Sequence, residues 1–121
     1  MGTVAQTRYG SGVAAEAEAA GALQTHGYEV LARRYKSPSG EIDLVVSKAN
    51  VVSFVEVKRR RSQEEAAWAV TPRQQRRISE AAACWLQAAP AYARHDVTFD
   101  AVLIAPGSPP YHMIDAFRPG C

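Results

Sequence analysis

The residues in this chain best suited to chemistry are two carboxylates and a lysine set in short apolar runs. One run is Gly40-Glu41-Ile42-Asp43-Leu44 and the other is Phe54-Val55-Glu56-Val57-Lys58. Successive side chains of an extended strand point to opposite faces, so Phe54, Glu56 and Lys58 share one face and the two valines the other. A carboxylate and an ammonium therefore project side by side. Hydrolysing a phosphodiester requires neutralising charge on the phosphate and producing hydroxide near neutral pH, and a divalent cation held by carboxylates does both. Magnesium takes one or two protein carboxylates and fills its octahedron with water and substrate oxygens, and manganese accepts similar ligands. On this reading Asp43 and Glu56 are ligands, the carbonyl of Val57 is a third, and Lys58 positions or deprotonates the attacking water or steadies developing charge. Glu16, in an alanine-rich stretch upstream, joins as ligand or as anchor for a metal-bound water. Taken singly, these residues also have plainer readings. Glu56 and Lys58 could be an exposed ion pair worth about 0–1 kcal/mol, and Asp43 the cap of a turn.

A second feature is the charge beyond this acidic set. The formal net charge is only +2, yet the window 58–77 holds Lys58, Arg59, Arg60, Arg61, Arg73, Arg76 and Arg77 against Glu64 and Glu65. Clustered Lys and Arg supply sequence-independent attraction to phosphates. Arg59, Arg60, Arg61, Arg73, Arg76 and Arg77 are thus the candidate nucleic-acid contacts, against the alternative of a merely solvated helix face.

The elements that must position these groups follow from periodicity and punctuation. Residues from about Gly12 to His26 read as a helix closed by Gly27. Tyr28 to Tyr35 is rich in strand formers and ends at the turn Ser37-Pro38-Ser39-Gly40. Ile42, Leu44 and Val46 then alternate with Glu41, Asp43 and Val45, and Ser47 to Asn50 separates this strand from a second one over Val51 to about Arg59. The pair reads as a hairpin. A four-residue loop would set Asp43 opposite Phe54 and Glu41 opposite Glu56, leaving Asp43 one diagonal step from Glu56, roughly 7 to 8 Å between backbones. A slip of one residue would send Asp43 to the other face and destroy the site.

Residues 60–70 show no period and read as a loop. Thr71 is the N-cap of a second helix with Pro72 at its first position and Gln74 closing a capping box. Its stripe is Ile78, Ala81, Ala82, Trp85, Leu86 and Ala89, and Pro90 ends it. Val97 to Ile104 is a further strand, and Tyr111 to about Phe117 a short last one. The fold class is α/β, ordered helix, three strands, helix, strand, with one mixed central sheet flanked by helices. At 121 residues the chain reads as a single domain, with a core of about 10–105 and a C-terminal strand and tail over 106–121. No apolar run reaches membrane-spanning length and no signal peptide is recognisable, so the expected setting is cytoplasmic, with no membrane partner. Cys84 and Cys121 read as free thiols. Trp68 and Trp85 read as core residues, His26, His95 and His112 receive no role, and Asp100 is expected either beside the site or bonded to a neighbouring loop.

These motifs carry a resemblance. Glu16, Gly27-Tyr28, Gly40-Glu41-Ile42-Asp43-Leu44, Phe54-Val55-Glu56-Val57-Lys58, Arg60 and Phe99-Asp100 match the pattern of the bacterial YraN family from about residue 10 to 105. The resemblance implies the restriction-endonuclease-like fold of the PD-(D/E)XK nuclease superfamily, and the order of acids is similar to that of archaeal Holliday-junction resolvases. It further implies that the aspartate and glutamate bind magnesium while the lysine assists hydrolysis. DNA is then the expected partner, and a junction substrate would call for two sites and hence a homodimer. The chain departs from the pattern at Ala15 where glycine is usual, Gln74 where lysine is usual, Thr98 where arginine is usual, and Arg34 where asparagine is common. The expected function is a metal-dependent endonuclease acting on DNA, branched or junction DNA included. The alternative is a nucleic-acid-binding module that keeps the fold without turnover.

Overall fold

A computed structural model describes residues 4–61 and 70–119, with side-chain surroundings from residue 14 onward. Helix α1 (Val4–Thr25) leads into strands β1 (Glu29–Lys36), β2 (Glu41–Lys48) and β3 (Val51–Arg59). Helix α2 (Pro72–Ala88) and a single 3-10 turn (Pro90–Tyr92) follow, then β4 (Asp96–Ile104) and β5 (Tyr111–Phe117). The strands form one sheet in the order β1-β2-β3-β4-β5, antiparallel throughout except for the parallel pair β3 and β4. One helix lies on each face, which is the mixed α/β arrangement of a restriction-endonuclease-like core.

α1 starts eight residues earlier than the sequence pattern places it, because the stretch before Gly12 contains no proline and needs no apolar stripe to form backbone bonds. It ends as expected. Gly27 takes φ 92°, its N–H reaches Gln24 O at 3.0 Å, and the Tyr28 N–H reaches Leu23 O at 3.0 Å. That pair of bonds is the Schellman closure which favours glycine. α2 begins with the expected capping box, Gln74 N donating to Thr71 Oγ1 and Thr71 N to Gln74 Oε1.

The small side chains Ala15, Ala19 and Ala20, with Leu23, let α1 sit close on the sheet, where it covers Leu44, Val46, Val55, Val102 and Ile104. α2 covers the opposite face, packing Ile78, Ala81, Ala82 and Trp85 on Ile42, Val45, Val52 and Phe54. Phe54 and Trp85 meet edge to face at 5.8 Å, so Trp85 is core as expected. Gly40 closes the β1–β2 turn against α2: a Cβ there would stand 3.0 Å from Arg77 O.

The hairpin register differs from the expected one. Lys48 pairs with Val51, leaving only Ala49 and Asn50 in the turn, and Phe54 faces Val45 rather than Asp43. Ala49 takes φ 55°, the left-handed conformation that two-residue hairpin turns demand. The shift from the expected pairing is two residues, and an even shift returns every side chain to the face it had. Asp43 stays beside β3, where the Val57 N–H donates to its Oδ2 at 2.8 Å.

Candidate active site

The geometry around Asp43 arises from a local failure of strand regularity. Ile42 packs on the α2 side and Leu44 on the α1 side, although residues two apart in a strand should share a face. The alternation expected over residues 41–46 therefore breaks at Asp43. Pairing between β2 and β3 runs only as far as Leu44 opposite Val55. Beyond it the Val57 N–H donates to Asp43 Oδ2 at 2.8 Å, so a carboxylate takes the place of a ladder carbonyl. On the other flank, Arg34 lies between Arg33 and Tyr35, which pair with Leu44 and Ile42, and it adopts φ 52°. A left-handed arginine inside a strand is costly and marks a place where surrounding structure imposes the backbone.

Glu56 and Lys58 project together, as the strand period predicts. Lys58 Nζ stands 3.2 Å from Glu56 Oε2, with only 10% and 15% of the two side chains exposed. This is not the exposed surface pair of the plainer reading. Burial, first, and the adjacent Asp43 carboxylate, second, push the Glu56 carboxyl up to about 8, against the opposing pull of Lys58. Near neutral pH Glu56 thus carries a proton shared by hydrogen bonding with Asp43. Two carboxyls forced together in this way bind a proton for the same reason they would bind a cation.

A cavity of about 250 Å³ opens beside them, lined by Ala15, Glu16, Arg34, Glu41, Asp43, Val57 and Arg59. Glu16 reaches it from α1. Its Oε2 is buried without a hydrogen-bond partner, and Arg33 Nη1 lies 3.8 Å away. The oxygen is thus held only by a long ion pair with Arg33, on the cavity that Asp43 also lines. Among the described residues no three His, Cys, Asp or Glu side chains converge into a complete metal cage. Magnesium does not require one, since one or two carboxylates suffice beside water and substrate oxygens. Asp43 and Glu56, which touch, are the carboxylate pair that could hold a hard divalent cation, while Glu16 shares the cavity with Asp43 and Val57 without closing a three-carboxylate group among the described residues.

The profile of the uncharacterised protein family UPF0102 matches residues 15–104. The chain belongs to the UPF0102 family. It is 52% identical over 107 residues to the UPF0102 protein of Bradyrhizobium diazoefficiens, covering 88% of this chain and 80% of that one. A UPF0102 protein of Rhodopseudomonas palustris strain BisB18 is 53% identical over the same length, covering 88% of this chain and 79% of its own. The YraN-like resemblance read from the motifs is this family, and the UPF0102 segment from 15 to 104 contains every acidic residue of the site as well as Lys58.

Within the UPF0102 chain the predicted contacts divide into groups. Asp43, Glu56 and Lys58 are brought together, and Glu16 faces the same cavity as Asp43 and Val57. Arg59 lines that cavity, while Arg59, Arg60 and Arg61 line a second one with Pro106. Arg73, Arg76 and Arg77 lie exposed on the first turns of α2 and line neither of these cavities. Trp68 and most of the expected loop over 60–70 fall outside the described residues.

Arg34 and Glu41 in the cavity wall received no role from the sequence. Their signal was faint: Arg34 was visible only as a departure from a common asparagine. His112 was likewise passed over. It lies 2.7 Å from Asp100 Oδ2, and the Asp115 N–H donates to Asp100 Oδ1 at 2.9 Å. Asp100 is fully buried, so its expected loop partner is in fact strand β5. Tyr28 packs edge-on against His112 at 5.5 Å, and its hydroxyl is pushed up by burial and by the charge of Asp100. This polar knot fastens the edge strand to the sheet. Cys84 is a free thiol, as read, and no described helix is long and apolar enough to cross a membrane.

Proposed function

We propose that this chain is a metal-dependent endonuclease that hydrolyses phosphodiester bonds in DNA, with branched or junction DNA as the expected substrate class. The observation that carries the reading is the buried contact set of Asp43, Glu56 and Lys58. Burying two carboxyls against each other costs stability, and a binding surface has no use for that expense. Asp43, Glu56, the Val57 carbonyl and Glu16 are the residues that would hold magnesium or manganese. The ion supplies charge neutralisation at the phosphate and acidifies a water.

The chain's own groups do the rest. The Val57 N–H fixes the Asp43 carboxylate in direction, so that its free lone pairs face the cavity. Lys58, held beside Glu56, delivers a positive charge and three rotatable N–H donors where an attacking water or a departing oxygen would stand. Arg34 and Arg59 flank the acids in the cavity wall and bind phosphate oxygens that the acids would otherwise repel. The DNA preference and the homodimer expected for a junction substrate rest on the family resemblance.

The test is cleavage of labelled linear duplex, single-stranded, flap and four-way-junction DNA with magnesium or manganese, beside Lys58→Ala. Cleavage that the substitution abolishes supports the reading and identifies the substrate. Salt-sensitive binding without cleavage would leave a binding module of the same fold instead.

A further inference from the structure

The end of β3 carries more positive charge than the catalytic cavity uses. Among the described residues, Arg59, Arg60 and Arg61 line a separate cavity of about 300 Å³ together with Pro106, from the turn after β4. Arg59 is common to both cavities, so the two adjoin. The backbone there is fixed: the Arg60 N–H donates to Ile104 O at 3.0 Å, extending the parallel pairing one step beyond the Arg59–Ile104 partners. Arg60 Nη1 donates to Arg59 O at 2.8 Å, a backbone carbonyl that leaves the guanidinium charge uncompensated. Among the described residues no carboxylate pairs with Arg59 or Arg60.

The cavity is at the small end of ligand-site volumes and several times the space of a few waters, so it has room for a nucleotide unit and not merely for an ion. Arg59 and Arg60, which meet no carboxylate among the described residues, select phosphate, and proline offers an apolar wall to the attached sugar or base. Resting on the nuclease reading above, we propose that this cavity is a second subsite, which grips the phosphate of the nucleotide neighbouring the scissile one. Arg59 bridges the two phosphates, Arg60 holds the second, and the substrate is therefore a strand that presents consecutive phosphates rather than an isolated phosphodiester.

The test is salt-dependent binding of a labelled 12-nucleotide single strand and a 12-base-pair duplex, in EDTA, by the native chain, Arg60→Gln, Arg60→Lys and Arg94→Gln. Arg94 is exposed, lines neither cavity and removes the same charge. Arg60→Gln is expected to weaken binding about tenfold at low salt and to reduce the salt slope by about 0.7 to 0.9, while Arg60→Lys recovers most of the slope. Whichever DNA shows the larger loss is the form of strand the subsite holds. Equal losses in Arg60→Gln and Arg94→Gln, with native binding intact, would overturn this inference alone. Absence of native binding to both DNAs would also overturn this inference, whereas the nuclease reading falls only if the metal-dependent cleavage panel shows no product. An unchanged melting temperature for Arg60→Gln separates lost grip from lost fold.

Discussion

Replacing Glu56 by glutamine should change how the metal-free protein responds to pH, and the direction can be worked out. An unfolded glutamate ionises near 4.5, whereas in the fold burial and the Asp43 carboxylate hold the Glu56 proton up to about 8. Below about pH 4.5 both states carry the proton and the site imposes no penalty. Between about 4.5 and 8 the unfolded chain releases the proton and the folded chain keeps it, so native stability falls as pH rises and then levels off above about 8. The displacement from 4.5 to about 8 sets a ceiling of about 5 kcal/mol. The Glu56 side chain retains 15% exposure beside an open cavity, and solvent screening brings the expected loss to about 2 kcal/mol. Glutamine cannot ionise, and its carbonyl can still accept from Lys58. Glu56→Gln should therefore match the native chain near pH 5 and exceed it by about 2 kcal/mol at pH 8.5, roughly 8 °C in melting temperature for a domain of this size. Urea and thermal unfolding of both proteins in EDTA across pH 5 to 9 would measure it. The difference between the two profiles cancels every other titrating group. A difference that stays flat, or that favours the native chain as pH rises, would refute the assignment of a shared proton to this pair.

Magnesium at a hundred times its dissociation constant should stabilise the native chain by about 2.7 kcal/mol at pH 8, and Asp43→Asn should lose most of that gain in a thermal-shift assay. Arg34 at φ 52° carries a left-handed cost of about 1 kcal/mol. Arg34→Gly or Arg34→Asn should accordingly raise stability by up to that amount in urea unfolding while weakening DNA binding; a loss of stability would show that the arginine side chain holds the turn. His112→Ala should destabilise by about 2 to 3 kcal/mol, because it leaves the fully buried Asp100 with a single backbone donor. Thr71→Ala should cost about 1 kcal/mol through loss of the α2 capping box, with no effect on DNA binding.

The parts of the fold written in local chemistry were legible in the sequence. Gly27 stops α1 because the Schellman closure needs a left-handed residue there, and Thr71-Pro72 with Gln74 starts α2 because side-chain and backbone bonds close a box within four residues. The shared face of Glu56 and Lys58 follows from strand period alone, and it persists to the last residues of β3. What could not be read depended on two segments at once. The hairpin register turned on whether Ser47 and Lys48 belonged to the loop, and both instead pair with β3, across from Val52 and Val51. The break at Asp43 is invisible because residues 41–44 alternate in composition whether or not the backbone does. Arg34 and His112 were missed for a related reason: each acquires its meaning from a partner on another strand, Arg34 beside the broken segment of β2 and His112 against Asp100.

The placement of the acids along the chain also gives the site two separate supports. Asp43, Glu56 and Lys58 all belong to one hairpin closed by a two-residue turn, and their mutual contacts use no residue of either helix. Glu16 alone arrives from elsewhere, carried on a helix whose hold on the sheet, among the described residues, includes three alanines and one leucine. The acidic pair and its lysine are therefore set by the hairpin, and the placing of Glu16 by the seating of α1. A substitution such as Ala19→Leu, at a fully buried position of α1, would lift the helix from the sheet and draw Glu16 away from the cavity while leaving the hairpin paired.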